Sequence, residues 1–316
     1  IVVSQDINMR VKCDALGLLC EDYVAGDAVD TKDDVFTGFQ KYLVDEQAID
    51  SFYSGEDIFA DKEEVKLYPN QYIMLVCNSN DKKTALARFD SYAEPLRKLY
   101  KADPIWEIFP RNKEQTFAIE LLMDPDIEVV SLIGQAGSGK TLLAVAAGLE
   151  QVLGEKSLYK KLIVSRPIQP LGKDIGFLPG TLEEKMDPWL MPIKDNLEFL
   201  MGNDRNMVQT YFEQGVIEIE AITYIRGRSI TNAFIIIDEA QNLTRHELKT
   251  ILTRVGEGTK IILTGDIEQI DNAYIDETSN GLTYAVEKFK EYDLSGHITL
   301  QKGERSKVAT LAAKIL

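Results

Sequence analysis

The stretch VVSLIGQAGSGKTLLAVAAGLEQVL, residues 129–153, constrains this chain more than any other. An apolar run enters a turn with glycines at Gly134, Gly137 and Gly139. Lys140 and Thr141 follow, and then a helix pattern begins. The spacing G-x-x-x-x-G-K-T between a strand and a helix is that of a phosphate-binding loop. Glycines let successive backbone N–H groups curl around an anion without Cβ clashes. The helix N-terminus adds unpaired donors and partial positive charge. The predicted phosphate site is therefore Gly134, Gln135, Ala136, Gly137, Ser138, Gly139, Lys140, Thr141 and Leu142. Lys140 would reach the β- and γ-phosphates of ATP, and the Thr141 hydroxyl would ligate Mg²⁺. A chance Gly-rich turn before a helix is the competing reading, and the flanking strand and helix disfavour it.

Bulk properties narrow the class. The chain has 316 residues, room for two domains, and at 45% apolar it can bury a large core. Its formal charge of -16 excludes a whole-surface basic footprint for nucleic acid but not a local basic groove. Cys13, Cys20 and Cys77 offer neither a disulfide framework nor a metal spacing, so a reducing, cytoplasmic compartment is expected. No apolar run reaches membrane-spanning length. The chain opens at Ile1 in mid-strand by pattern, which reads as a fragment.

The N-terminal residues give two expectations. IVVS looks like a buried strand, Asp6 follows it, and a helix runs from about Met9 to Leu16. Asp6 is either a helix N-cap or a metal-ligand position, and so short a piece cannot hold its own core. Asp27, Asp30, Asp33 and Asp34 suggest a solvated linker. Residues 30–95 then read as a small strand-rich module with a hairpin, in which DEQAIDSFYSGED forms a short helix and turn. A helix over about Lys113–Met123 puts Gln115 in its first turn. An amide there can bond the donor and acceptor of an adenine edge, or simply be a polar first-turn residue.

The remaining length reads as alternating strands and helices. Strand LIVS ends at Arg166-Pro167, and a long Pro- and Gly-rich loop follows. Arg166 and Lys173 are candidate nucleic-acid phosphate contacts; an ion pair and a solvated charge are their respective alternatives. Pro188 and Pro192 are expected to break or restart the next helical stretch. Arg226 and Arg228, flanking Gly227, make a second basic turn. AFIIIDEAQNLT marks a buried central strand ending in acids. Asp238 would hold Mg²⁺ with Thr141, Glu239 would orient the attacking water, and Gln241 would sense the γ-phosphate. KIILTGD is another parallel-type strand, with Asp266 and Gln269 at its tip reading the hydrolysis state. Arg305, before a terminal helix pattern, is either a finger for the transferred phosphoryl group or a surface arginine.

The stretches PRNKEQ, LIGQAGSGKTLLAVAAGL, SRPIQPLGKDIGFLPGTLEEKMDPW, IRGRS, FIIIDEAQNLT, LTGDIEQID and GERS resemble the PhoH family of P-loop ATPases. The opening VSQDINMRVKCDALGL resembles the end of a PIN ribonuclease domain, with Asp6 on its terminal acidic position. The resemblance implies an α/β fold: a P-loop NTPase core with a RecA-like, superfamily 1 helicase-like parallel sheet over 108–316. Before it would come a linker and strand-rich module (26–107) and a PIN remnant (1–25). It implies an ATP- and Mg²⁺-dependent RNA helicase-type motor acting on single-stranded RNA as a hexameric homo-oligomer without a membrane. It also implies that Gln115 reads adenine, and that Gln241, Asp266 and Gln269 couple nucleotide state to substrate. Two rival functions remain: a slow, nucleotide-dependent regulatory or phosphate-stress protein with protein partners, and an ATPase partner of a PIN ribonuclease.

Overall fold

A computed structural model describes residues 2–3, 7–21, 28–29, 31–99, 103–167, 182–222, 229–272 and 274–301. Its centre is a six-stranded sheet, every neighbouring pair parallel. Two smaller sheets precede it in the chain.

The first is a parallel pair, β1 (Val2–Val3) and β2 (Cys20–Glu21), joined through helix α1 (Ile7–Ala15). Met9, Val11, Leu16, Leu18 and Leu19 are exposed, as expected of a piece too short to enclose its own apolar side chains. Asp6 lies outside the described residues.

The second sheet has the order β3-β4-β5-β6, from β3 (Phe39–Val44), β4 (Gln71–Cys77), β5 (Asn80–Phe89) and β6 (Arg97–Lys98). Helix α2 (Glu46–Ser54) crosses between the parallel strands β3 and β4, and β4 pairs antiparallel with β5. Asp45 caps α2 by accepting from Ala48 N. The acidic lead-in is not a free linker over its second half. Val35 is buried against the main sheet, Phe36 N donates to Glu287, and Thr299 N donates to Thr37 O. Gly38, at φ +73°, lies so close to the His297 carbonyl that a Cβ would overlap it.

The main sheet runs β12-β7-β11-β10-β8-β9. Its strands are β7 (Val129–Gly134), β8 (Lys161–Arg166), β9 (Ile217–Ala221), β10 (Ala233–Ile237), β11 (Lys260–Gly265) and β12 (Ser295–Leu300). Both faces are covered, so the central strands are apolar without interruption. The pleat sends Val130, Leu132, Val164 and Ile236 to one face. There they meet α3 (Lys113–Met123), α4 (Lys140–Leu153), α5 (Leu182–Leu200) and α6 (Arg205–Glu213). Ile133, Ile163, Ile235 and Leu263 go to the other face, under α7 (Arg245–Leu252) and α8 (Gly281–Phe289). Among the described residues no helix is long and apolar enough to cross a membrane.

Pro188 and Pro192 do not interrupt α5, contrary to expectation. They stand four residues apart, so their missing N–H groups fall on one face of the helix. Pro192 is exposed, while Leu190, Ile193, Leu197 and Leu200 are buried against the sheet. Burial of that stripe holds the helix together through the lost hydrogen bonds.

Helix α3 joins the small sheet to the large one. Tyr72 of β4 stacks on Phe117 at 4.2 Å and donates to its carbonyl at 3.1 Å. Arg88 of β5, 2% exposed, bonds Asp124 at 2.8 Å. On the other side, fully buried Lys260 donates to Leu121 O at 2.8 Å and Asp124 O at 2.6 Å. Burial lowers this amine from 10.5 to about 7, and a neutral amine keeps the two N–H groups that these carbonyls use. Between those pH values the unfolded chain carries a proton that the folded chain has released. Folding therefore gains stability as pH rises from about 7 towards 10. In Lys260→Met the curve of Tm against pH is expected to be flatter over that range than in the parent chain, whatever the constant offset. Parallel curves would show that the amine keeps its proton in the folded state.

Candidate functional site

The carboxyl edge of the main sheet collects the groups with chemistry. In an open parallel sheet this is the edge at which ligands bind. β7 ends at Gly134 and the loop Gln135–Gly139 turns into α4. Gly137 and Gly139 have φ of +80° and +91°, a region that side-chain-bearing residues avoid. A Cβ on Gly134 would come within 2.8 Å of both Leu300 O and Ser138 Oγ, so glycine is required there by packing.

Inside the turn, Ser138 Oγ is buried with no hydrogen-bond partner. Lys140 is 6% exposed and has no ion-pair partner among the described residues. A buried ammonium without a counter-charge is costly unless an anion fills the turn. These features fit the phosphates of a nucleotide.

The second half of the site arrives 97 residues later. The Thr141 hydroxyl donates to Asp238 Oδ1 at 2.8 Å, and the Thr264 hydroxyl donates to the same oxygen at 2.6 Å. Asp238 follows β10 directly and is 3% exposed; its N–H donates to Ser165 O at 2.8 Å. One carboxylate beside one hydroxyl is the oxygen set that Mg²⁺ accepts when phosphates and water complete its shell. Among the described residues there is no cluster of three or more His, Cys, Asp or Glu that could hold a metal unaided.

Glu239 has φ +54°, left-handed for a residue with a side chain. Its Oε1 pairs with Arg166 Nη2 at 3.1 Å, and its Oε2 accepts from Gln241 Nε2 at 2.6 Å. Gln241 is 1% exposed and fully engaged. Its Nε2 also donates to Gln269 O at 2.8 Å, and its Oε1 accepts from Asp266 N at 3.1 Å. The Asp266 carboxylate takes the loop N–H of Ala136 at 2.9 Å. Gln135 Nε2 reaches Glu268 at 3.1 Å.

Gln115 sits beside the loop. Asn112 caps α3 by accepting from Gln115 N. The Gln115 side chain donates to Ser138 O at 3.0 Å and accepts from Arg111 N at 2.8 Å. One amide hydrogen and one lone pair are left over, enough for a base edge.

The structure thus brings together the whole loop from Gly134 to Leu142 with Gln115, Arg166, Asp238, Glu239, Gln241, Asp266 and Gln269. Lys173, Arg226, Arg228 and Arg305 lie outside the described residues. Sequence reasoning gave no metal-side role to Thr264 and no role at all to Ser165 or Glu268. The first two became visible only when β10 was set between β8 and β11, where Ile237 faces both Ser165 and Leu263. A cavity of about 510 Å³ between α7 and α8, lined in part by Arg245, Lys249, Tyr284 and Phe289, shares no residue with this cluster.

A parallel sheet carrying this loop at its first strand, with helices on both faces, is an α/β fold of the P-loop type. The chain belongs to the PhoH family of P-loop ATPases: the family model described as PhoH-like protein matches residues 107–315. Protein PhoH2 of Bacillus subtilis is 50% identical over 320 residues, spanning 100% of this chain and 72% of that protein. Protein PhoH2 of Mycolicibacterium smegmatis is 36% identical over 317 residues, spanning 100% and 70%. Among solved structures, the Pif1 helicase of Candida albicans overlays 66% of this chain and 43% of that chain at 17% identity and a TM-score of 0.34, too loose to bear on activity.

Gly265 makes the Gln241 junction testable. A Cβ there would stand 2.5 Å from Gln241 Oε1 and 2.5 Å from Leu282 Cδ2. Gly265→Ala is expected to displace the amide and destabilise the fold by about 1–3 kcal/mol, the usual cost of overpacking. The measure is the urea midpoint; an unchanged midpoint would mean that Gln241 is not held as tightly as its three bonds suggest.

Proposed function

We propose that the chain is a Mg²⁺-dependent ATPase whose cycle moves or remodels single-stranded RNA. The observation that carries the reading is the 2.8 Å bond between Thr141 and Asp238, which sets the glycine loop and the acid-tipped strand on one small volume. ATP would place its phosphates in the loop 134–139, against the uncompensated Lys140. Thr141 and Asp238 would hold Mg²⁺, which supplies charge neutralisation on the phosphate oxygens when bound.

The chain's own residues do the rest. Glu239 orients a water in line with the γ-phosphate and accepts its proton. Gln241 acts through Glu239, since its amide is committed to Glu239, Gln269 and Asp266. Phosphate in the loop would compete with Asp266 for the Ala136 N–H, so loop filling is felt at the β11 tip and passed to Gln241. Gln115 reads the adenine edge from its place beside Ser138.

RNA would be held locally, because the net charge of -16 disfavours broad electrostatic attraction. Arg166, Lys173, Arg226 and Arg228 are the proposed phosphate contacts. Residues 108–316 form the motor, 26–107 an accessory module and 1–25 the end of a PIN-like domain. The motor has one nucleotide core, so a ring of copies, probed by solution mass, would supply the facing wall and Arg305 as finger. Asp6 alone cannot assemble a metal cluster for phosphodiester cleavage, which leaves ribonuclease activity outside this reading.

Two substitutions test it. Lys140→Ala is expected to abolish binding of a fluorescent ATP analogue; normal turnover in that variant would end the assignment. Glu239→Gln is expected to bind the analogue as the parent does while kcat falls by roughly 10²–10⁴, the range for loss of a positioned base. Undiminished hydrolysis in it would move the base elsewhere.

A further inference from the structure

In the arrangement described, each carboxylate oxygen of Glu239 already accepts one bond, Oε1 from the cationic Arg166 and Oε2 from Gln241, so any water must share Oε1 with a guanidinium. The two partners differ in kind. Gln241 is 1% exposed and is pinned at both ends of its amide. Arg166 stands at the last position of β8, with a side chain 22% exposed, directly before Pro167 and the long loop. Of the two contacts, only the guanidinium is open to an anion from solvent.

Backbone geometry fixes the rest. Asp238 N is bonded to Ser165 O, so the tips of β8 and β10 are locked side by side. Arg166 follows Ser165 and Glu239 follows Asp238. Ile237 is paired with Ser165, so one step further the register sets Arg166 beside Asp238, and Glu239, one residue on, is within reach of the guanidinium at 3.1 Å. Glu239 itself has a left-handed φ of +54°, a conformation that a residue with a side chain adopts at some cost.

We infer that Arg166 is a latch on the catalytic carboxylate, opened when a phosphodiester of single-stranded nucleic acid takes the guanidinium in place of Glu239. The inference rests on the ATPase reading above. A guanidinium can hold the paired oxygens of a phosphate through two parallel N–H bonds, whereas Glu239 is held through Nη2 and Oε1 at 3.1 Å. Once the exchange is made, Oε1 is free to accept a proton from water, and Gln241 still holds Oε2 so the carboxylate keeps its aim. Arg166 is thus a positioning residue, idle in the chemistry itself. It makes hydrolysis conditional on an occupied nucleic-acid site, so the chain does not spend ATP when it holds no strand.

The latch makes a specific kinetic demand. Nucleic acid should raise kcat and leave the KM for ATP nearly unchanged, because nothing that contacts the nucleotide moves. The experiment is steady-state ATP turnover by the full chain, its Arg166→Gln and its Arg166→Lys variants. Each is run alone, with a 30-mer of uridine, with a 30-mer of deoxythymidine, and with inorganic polyphosphate; melting curves confirm folding. In the parent chain the uridine 30-mer is expected to raise kcat by roughly tenfold or more, the factor carried by one charge-assisted hydrogen bond. Arg166→Gln is expected to reach that rate with no strand present and to gain nothing from one. Arg166→Lys, with a single-point charge, is expected to fall between the two; it decides the matter alone if Arg166→Gln does not fold.

Equal stimulation by all three polymers would identify phosphate charge as the opener, and stimulation by uridine alone would identify a strand-specific site; both support the latch. The latch is overturned if Arg166→Gln lowers the strand-free kcat or leaves it as it was. A fall in kcat with ATP-analogue binding intact would put Arg166 on the reacting phosphoryl group instead. A parent chain that hydrolyses no ATP under any condition would remove the ATPase reading itself, a different failure from an unaltered Arg166→Gln.

Discussion

One carboxylate oxygen organises the site. Asp238 Oδ1 accepts a hydroxyl from Thr141, at the start of α4, and another from Thr264, at the tip of β11. A buried acid is costly unless it is hydrogen-bonded, and these two donors satisfy one of its two oxygens. The same bonds join three segments that are far apart in the chain: the glycine turn, the end of β10 and the end of β11. Lys140 and the loop N–H groups hold their positions because Thr141, next in line, is anchored. The glycine turn is thus held by contacts that belong to the fold, and a turn formed in advance has no entropic cost of assembly around whatever it binds.

The neighbouring residue shows the opposite tendency. Glu239 sits in a left-handed conformation that an L-residue adopts at some cost, held by the N–H of Asp238 on one side and a 3-10 turn, Ala240–Asn242, on the other. Asn242 N donates to the Glu239 carbonyl at 3.1 Å, closing that turn. Strain of this kind persists only where surrounding contacts over-determine it, and it concentrates at sites where a side chain must point somewhere unusual. Rigid support at Asp238 and strain at Glu239 therefore fall on adjacent residues.

Much of this was legible in the sequence. Buried parallel strands are uninterrupted apolar runs, so VVSLI, LIVS, AFIII and KIILTG announce themselves, and the glycine loop is a local pattern that needs no tertiary information. Non-local pairing was not legible. Nothing near Thr264 or Ser165 says that each will flank Asp238, because strand order in a sheet is set by the crossovers and not by the strands. Prolines were over-read: Pro188 and Pro192 signal a break locally, but burial of Ile193 and Leu197 outweighs two lost hydrogen bonds. Asp33 and Asp34 are exposed, as their charge suggests, but nothing in that polar run hints at the apolar contact of Val35 just after it. Strand β5 was hidden by its charged start, Asp81-Lys82-Lys83, and only its second half alternates towards the core.

Helix α3 has a consequence of its own. At its C-terminal end it is gripped from two directions, by Arg88 of the small sheet and by Lys260 of the large one; Tyr72 clasps its middle. At its N-terminal end it carries Gln115, bonded to the carbonyl of Ser138 in the glycine turn. A stiff rod pinned in this way transmits displacement. A pull on the four-stranded sheet would therefore be felt at the glycine turn within one helix length.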